Sequence, residues 1–589
     1  MPARLLSALL LVVPTLAWAT GDGPARMDHI AQIYQKENGF SASVSISRGR
    51  ETLLERGYGV AVDTPYSTGT ITMQFTAAAL LLLQEDGKLR IDDPLSAHLP
   101  EAPAGWSKVT LRHLLTHRSG IGGFETFPDA AALLRDKPAP RDLMQQIFST
   151  FPTVEADKVF ALSSPNYILL GLVIEQAAGV PYGTFLDKRL FAPLGMKATA
   201  YHPDASDPMA RFLFSAGGVE STVQDLAIWE KALFGGKVLS PAALKEMTTP
   251  SPDGFYGLGL LIVPEQGHPN PVYAGDSAML DGHSGVLAYR PDDGLVLAML
   301  GKTNHDVMLD LARKLAALAR GDKVVLKSEM TSTALPNVLI PTEKLAMPGL
   351  DRDRGLRIYV PPGYSDHPDR RYPVIYMHDA QNLFDVKTAY SDEWGVDETL
   401  NELAKTRGFE AIVVGVDNSD KRMSELNPYP GPKLKEAEGP AYMRFIVEVV
   451  KPYIDHSYRT LPDRDHTAII GSSLGGLISH YALQAYPQIF SKYGLFSPSY
   501  WSSPELVKRA AEQKLPPDTR LYVYCGGKEG AGMAENARAM AATLARQGSA
   551  EDVSLHIDPD AEHNEKAWRP EFRQAVLWLF ATKSKVGDR

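Results

Sequence analysis

A single cysteine, Cys525, stands among 589 residues. No intramolecular disulfide is possible, so ordinary packed cores must hold the fold. Long apolar runs are also missing apart from Leu5 to Leu16, and that run is shorter than the roughly 20 residues needed to span a bilayer. Positive charge is in deficit: 60 Lys and Arg against 70 Asp and Glu leave a formal net charge of -10. Such a surface disfavours nucleic acid and anionic membranes as partners. No solenoid-like repeat and no low-complexity stretch is present. Neither an HExxH motif nor a cysteine cluster marks a metal site. The dense group His556, Asp558, Asp560, Glu562 and His563 reads more simply as alternation along a strand end, so neither metal nor organic cofactor is expected.

What is present is ordinary for a soluble globular protein: 44% hydrophobic and 22% charged residues. The length suggests several domains, or two if both are large hydrolases. Arg4, the apolar run and the small-x-small end Ala17, Trp18, Ala19 read as a secretory signal peptide over 1–19. The expected location is therefore periplasmic or secreted, with cleavage near Ala19. No cysteine follows this segment, which argues against a lipoprotein anchor. Around Asp322 to Asn337 helical periodicity fades and polar residues take over. The expected organisation is one domain over 20–322, a linker over 323–337 and a second domain over 338–584. Oligomeric state is not legible.

The C-terminal half alternates strand-like runs (Arg357–Val360, Val374–His378, Glu410–Val416, Thr467–Ile470, Leu521–Cys525, Val553–Ile557) with helical ones. That pattern predicts a mostly parallel sheet with helices on both faces. The N-terminal half, with a helix-rich block and late strands, predicts an α+β domain.

Gly471, Ser472, Ser473, Leu474 and Gly475 form G-x-S-x-G between the strand-like Thr467–Ile470 and a helix start at Gly476. Strand, sharp turn and helix are the context that lifts a serine hydroxyl over a sheet edge. A serine becomes nucleophilic when an imidazole takes its proton, and a carboxylate must orient that imidazole. His563, after the run Val553–Ile557, is the candidate base; His556 alternates with apolar neighbours and is the weaker one. Glu529, just after Leu521–Cys525, is the candidate acid, with Glu535 as competitor. Leu474 offers one amide to the oxyanion, and Gln381 or Ala380, after Val374–His378, the second. His378 and Asp379 fit a structural turn better than a second catalytic pair.

Val360 to Tyr364, the loop His378 to Asp385, Asp392 to Trp394, Arg422, Glu425 and the Ser473, Glu529 and His563 segments resemble the esterase D superfamily. That family includes siderophore, feruloyl and acetyl-xylan esterases. The resemblance implies an α/β-hydrolase fold, ester hydrolysis through an acyl-enzyme, and a substrate cleft lined by His378, Trp394, Arg422, Tyr500 and Trp501. Ala380 departs from the glycine usual in that loop, and its methyl is expected to narrow the approach to the oxyanion hole.

Gln74 to Ala79, Leu114 to Gly120, Ala216 to Gly218 and Asp281 to Gly285 resemble the serine β-lactamase and penicillin-binding-protein superfamily, class C in particular. That family's S-x-x-K positions correspond to Thr70 and Met73, and a thioether cannot replace an amine as proton acceptor. The tyrosine motif is replaced by Leu162, Ser163 and Ser164. His283, Ser284 and Gly285 keep the third motif. The resemblance implies the fold with its catalytic groups lost, so this half is read as structural or ligand-binding.

The whole reads as an exported serine esterase acting on a small-molecule or carbohydrate ester. Its rivals are a β-lactamase or D-aminopeptidase-like hydrolase working through the N-terminal half, and a non-catalytic binding protein.

Overall fold

The computed structural model describes residues 23–124, 136, 139–144, 148, 154–201, 212–265, 268–279, 282–431, 434–530, 532–548 and 550–581. The expected signal peptide lies outside the described residues. The chain divides into two compact units, Met1–Val324 and Val325–Arg589.

The first unit holds a six-stranded sheet of β1 (Ala42–Arg48), β2 (Glu51–Tyr58), β3 (Leu261–Val263), β4 (Val272–Ala278), β5 (His283–Arg290) and β6 (Leu295–Lys302). Its order is β2-β1-β6-β5-β4-β3, antiparallel throughout. The helices used below are α1 (Gly23–Asn38), α2 (Thr72–Glu85), α3 (Ser164–Ala178), α4 (Val223–Phe234) and α5 (His305–Arg320). Residues Thr72 to Leu83 of α2 are all buried. A helix buried all round belongs in the middle of a domain, and Ala77, Ala78 and Ala79 let its neighbours approach closely. α5 is amphipathic instead, turning Met308, Leu311, Ala312 and Leu315 inward.

The second unit is built on eight strands: β7 (Val338–Leu339), β8 (Leu356–Tyr359), β9 (Val374–His378), β10 (Ile412–Val416), β11 (Thr467–Ser472), β12 (Lys492–Phe496), β13 (Arg520–Gly526) and β14 (Val553–Asp558). The order is β7-β8-β10-β9-β11-β12-β13-β14. β7 and β8 are antiparallel, and from β10 to β14 every pair is parallel. β9 and β10 are buried along their whole length, the signature of parallel strands covered on both faces. On one face α6 (Val396–Arg407) and α9 (Glu565–Leu579) contribute Leu400, Trp568 and Phe572 to a core. On the other, α7 (Leu474–Ala485) and α8 (Met533–Gln547) contribute Leu477, Ile478 and Met540. Each fully buried Leu or Phe in these layers stabilises the unit by roughly 1.5–3 kcal/mol.

This doubly covered parallel sheet fixes where chemistry can occur, because β9, β11, β12, β13 and β14 all end on the same edge. The segment expected to be a linker is, from Ser332 to Asn337, laid onto this unit. Ser332 Oγ donates to Asp385 at 2.7 Å, Leu335 N to Asp397 at 2.9 Å and Asn337 Nδ2 to Asn401 at 3.0 Å.

Candidate active site

β11 passes into α7 through Ser473, whose backbone is left-handed at φ 57° and ψ -119°. That region is disfavoured for a residue with a side chain, and close packing enforces it. A methyl on Gly471 would stand 2.4 Å from Gly475 O and 2.8 Å from His378 Cδ2, and one on Gly476 3.0 Å from Phe496 O. The motif glycines are therefore needed so that β11, α7 and β12 can touch. Ser473 is half-buried, and its Oγ lies 3.2 Å from Ser499 Oγ.

Glu529 follows β13 with its carboxylate buried. Gly526 N donates to Oε1 at 2.6 Å and Ser497 Oγ to the same oxygen at 2.5 Å. Oε2 is 2.8 Å from His563 Nδ1. Burial raises the carboxyl's pKa, but the bonds from His563, Ser497 and Gly526 outweigh it and hold Glu529 below the usual carboxylate range. An ionised Glu529 accepts from Nδ1–H, which leaves Nε2 as the proton acceptor of the ring. Burial, with Glu529 nearby, pushes the Cys525 thiol up to about 12. It stays protonated as a weak donor to Oε2 at 3.5 Å. His563 retains 33% side-chain exposure and meets the Trp568 ring edge-on at 5.1 Å. Among the described residues the Ser473 hydroxyl bonds to Ser499 and the His563 ring to Glu529. The Ser473 hydroxyl thus rests on Ser499, and the bond to His563 has still to close for proton transfer. His556 pairs with Glu571 instead, at 2.7 Å.

Two helix starts converge on the same edge. Leu474 opens α7, and Ala380–Asn382 form a single helical turn after β9. The first N–H groups of a helix have no partner within it, so the amides of Leu474 and Gln381 are aimed outward from their turns. The second turn is braced on both sides. Asp379, at φ 57°, takes Arg422 Nε and Nη2 at 2.6 and 2.8 Å and Asn418 Nδ2 at 2.7 Å. The Gln381 side chain donates to Asn418 O at 3.1 Å and accepts from Asn418 N at 2.9 Å. Ala380 is fully buried and packs toward Gly415, where a methyl would come within 2.8 Å of Ala380 Cβ. The methyl thus points into the sheet and does not narrow the oxyanion approach, correcting that expectation.

The expected cleft lining needs revision as well. His378 is buried with Nδ1 2.8 Å from Tyr442 OH, and burial lowers its pKa to about 4. Trp394 lies in the core against Phe496 and Trp568, and Tyr500 is buried with its hydroxyl 3.0 Å from His480 Nδ1. His378 closes β9, whereas Trp394 and Tyr500 stand in the turns that follow strands, and all three side chains pack inward. Arg422 is committed to Asp379. Trp501 is the exposed one, at 44%. Ser497 and Ser499, which sequence reasoning missed, meet the acid and the nucleophile; the signal was Ser-Pro-Ser directly ahead of Tyr500 and Trp501.

In the first unit, Thr70 sits in the turn leading into α2, and its hydroxyl donates to Asp276 O. Met73 Sδ, where the family's amine would stand, receives Tyr256 OH at 3.9 Å. Tyr256 also lies 3.2 Å from His117 Nε2. Burial raises the pKa of that phenol and lowers His117 to about 3, so both are neutral. Leu162 is exposed, Ser164 opens α3, and His283 opens β5 beside the Tyr66 ring at 6.0 Å. Nearby, Ser284 Oγ is 2.8 Å from His305 Nδ1, and His305 Nε2 is 3.3 Å from Asp276. Ser284 is buried and also donates to Ser277 O, so this chain braces β4, β5 and the start of α5.

Residues 28–321 match the beta-lactamase family model, and residues 348–579 match the esterase family model. The Bacillus subtilis protein PbpX, classed by name with the penicillin-binding proteins, is 29% identical over 265 residues, covering 39% of this chain and 64% of PbpX. YbbA of the same organism is 28% identical over 247 residues, covering 39% of this chain and 93% of YbbA. The octameric penicillin-binding protein homologue from Pyrococcus abyssi superimposes with a TM-score of 0.45 at 20% identity, covering 57% of this chain and 96% of that one. The chain thus joins two serine-hydrolase families, with a beta-lactamase domain at residues 28–321 followed by an esterase domain at residues 348–579.

Proposed function

We propose that the chain is an exported serine esterase that hydrolyses carboxylic esters on Ser473, and that its beta-lactamase domain is catalytically silent. The carrying observation is the buried Glu529 carboxylate held 2.8 Å from His563, on the sheet edge where Ser473 stands on its strained turn. Ser473 Oγ attacks the ester carbonyl carbon while its proton passes to His563 Nε2. Glu529 stabilises the imidazolium that results. The carbonyl oxygen, now an anion, takes N–H bonds from Leu474 and Gln381. As the intermediate collapses, His563 returns the proton to the departing alcohol, and water repeats the sequence on the acyl-serine. No step requires a metal or organic cofactor. The exposed Trp501 suits a flat or sugar-bearing ester of the siderophore, feruloyl or acetyl type. In the first domain Thr70 donates to Asp276 O, Met73 has no proton-accepting nitrogen, and both His117 nitrogens are engaged, Nδ1 by Ser163 N and Nε2 by Tyr256 OH, which supports a structural or ligand-holding role.

The test is a panel of short-acyl, feruloyl, acetylated-sugar and siderophore esters, run on the wild type and on Ser473→Ala. Hydrolysis and fluorophosphonate labelling should vanish in Ser473→Ala and survive in Thr70→Ala. Penicillin labelling that persists in Ser473→Ala and disappears in Thr70→Ala would transfer the activity to the first domain. Mass spectrometry of the mature N-terminus, expected after Ala19, checks export.

A further inference from the structure

The loop leaving β12 takes no part in the bond-making steps above, yet it reaches all three groups that do. Ser497 is fully buried with its backbone at φ 44°. Its hydroxyl donates to Glu529 Oε1 at 2.5 Å and accepts from Trp568 Nε1 at 3.0 Å. Trp568 in turn meets the His563 ring edge-on at 5.1 Å. Two residues later, Ser499 N donates to Ser473 O at 3.1 Å, and Ser499 Oγ lies 3.2 Å from Ser473 Oγ.

The direction of these bonds is forced. An indole N–H only donates, so Ser497 must accept from Trp568, and its single proton is left for Glu529. Gly526 N–H already points at Oε1. With two donors on Oε1, the carboxylate cannot exchange its oxygens, and Oε2 alone remains for His563. We infer that Ser497 is a positioning residue of the esterase site: anchored by Trp568, its hydroxyl chooses which Glu529 oxygen faces His563, while Trp568 fixes the imidazole plane. This inference rests on the Ser473 esterase reading. The titratable groups facing the carboxylate are His563, Cys525 and Tyr524.

The experiment measures kcat/KM for p-nitrophenyl acetate against pH on full-length wild type, Ser497→Ala, Trp568→Phe and the double variant, with Ser473→Ala alongside. Ser497→Ala should lose about 10–100-fold. A carboxylate short of one donor holds its charge less well, so protonation of the Glu529–His563 pair becomes easier. The acid limb of the profile should therefore move to higher pH by about half a unit or more. Trp568→Phe keeps a ring beside His563 and should lose about 3–10-fold, with a smaller shift in the same direction. The double variant should be no worse than Ser497→Ala, because both act through one bond. Should Ser497→Ala fail to fold, the shift in Trp568→Phe carries the test. Losses that multiply, a rate within about threefold of wild type, or a fall in rate with an unmoved acid limb would each overturn the inference. If Ser473→Ala still hydrolyses the ester, the esterase reading itself fails, an outcome distinct from the others.

Discussion

Replacing Glu529 by glutamine changes one oxygen to an amide nitrogen, and the surrounding bonds dictate where that nitrogen goes. Oε1 receives Gly526 N at 2.6 Å and Ser497 Oγ at 2.5 Å. A backbone N–H cannot become an acceptor, and Ser497 is held as a donor by Trp568 Nε1 at 3.0 Å. The amide oxygen of the new side chain must therefore take the Oε1 place, which turns its NH2 toward His563 Nδ1. That ring nitrogen then accepts, and the ring proton moves to Nε2. An imidazole protonated at Nε2 cannot take a proton from Ser473. The charge that stabilises the imidazolium disappears in the same step. A wrong tautomer of this kind costs about 10⁴ in kcat in a serine protease triad, or roughly 5.5 kcal/mol of barrier. We therefore expect Glu529→Gln to lose about 10³–10⁴-fold in kcat on p-nitrophenyl acetate, with KM within about threefold. Circular dichroism should show an intact fold, since shape and most hydrogen bonds are kept. Recovery of more than a tenth of the wild-type rate at neutral pH would refute the assignment of Glu529, and a matching loss in Glu535→Gln would identify the acid in its place.

The same carboxylate has a stability signature. Its pKa is depressed in the folded state, so its contribution is present above the ordinary glutamate value of about 4.3 and is lost as pH falls through the folded pKa. Urea unfolding at pH 7 and in steps below pH 5 should show the wild type's margin over Glu529→Gln shrinking with acidity; a constant margin would contradict the shift. Gly471→Ala should cost about 1–3 kcal/mol or more in thermal unfolding and abolish turnover, because the new methyl meets backbone at 2.4 Å; a fully active variant would refute the packing argument. Thr333→Val removes the hydroxyl that receives Val386 N at 2.9 Å and donates to Glu393. At about 1–3 kcal/mol for the buried Glu393 carboxylate left short of a donor, the esterase transition should fall by about 2–10 °C with a several-fold loss of kcat. An unchanged melt would mean that the Ser332 to Asn337 segment does not secure the loop carrying Gln381.

How much was legible depended on whether a residue's placement was set locally. The strand–turn–helix that carries Ser473 was readable because its glycines, strand and helix lie within a few positions of one another. The pairing of Glu529 with His563 was readable because each follows the end of a neighbouring parallel strand, which brings the two to one sheet edge; their part in catalysis belongs to the proposal above. The strand β12 was not readable. Its sequence carries Gly494 at the centre, a residue that weakens strand propensity, yet a methyl there would lie 2.7 Å from Ile470 Cγ2. That glycine lets β12 lie against β11 and so delivers Ser497 and Ser499 to the site. The cleft lining failed for a related reason. His378, Trp394 and Tyr500 were placed in the cleft by resemblance to sequence motifs, but a motif does not say which way a side chain leaves a strand end or a turn. Here partners beneath the edge decide it: Tyr442 holds His378, His480 holds Tyr500, and Phe496 and Trp568 enclose Trp394. In the first domain the fold was legible because a core needs only size and pattern, which survive when Met73 stands where a lysine is required. Chemistry needs one particular atom at one place, so the close packing of α2 around Met73 speaks for the fold and not for turnover.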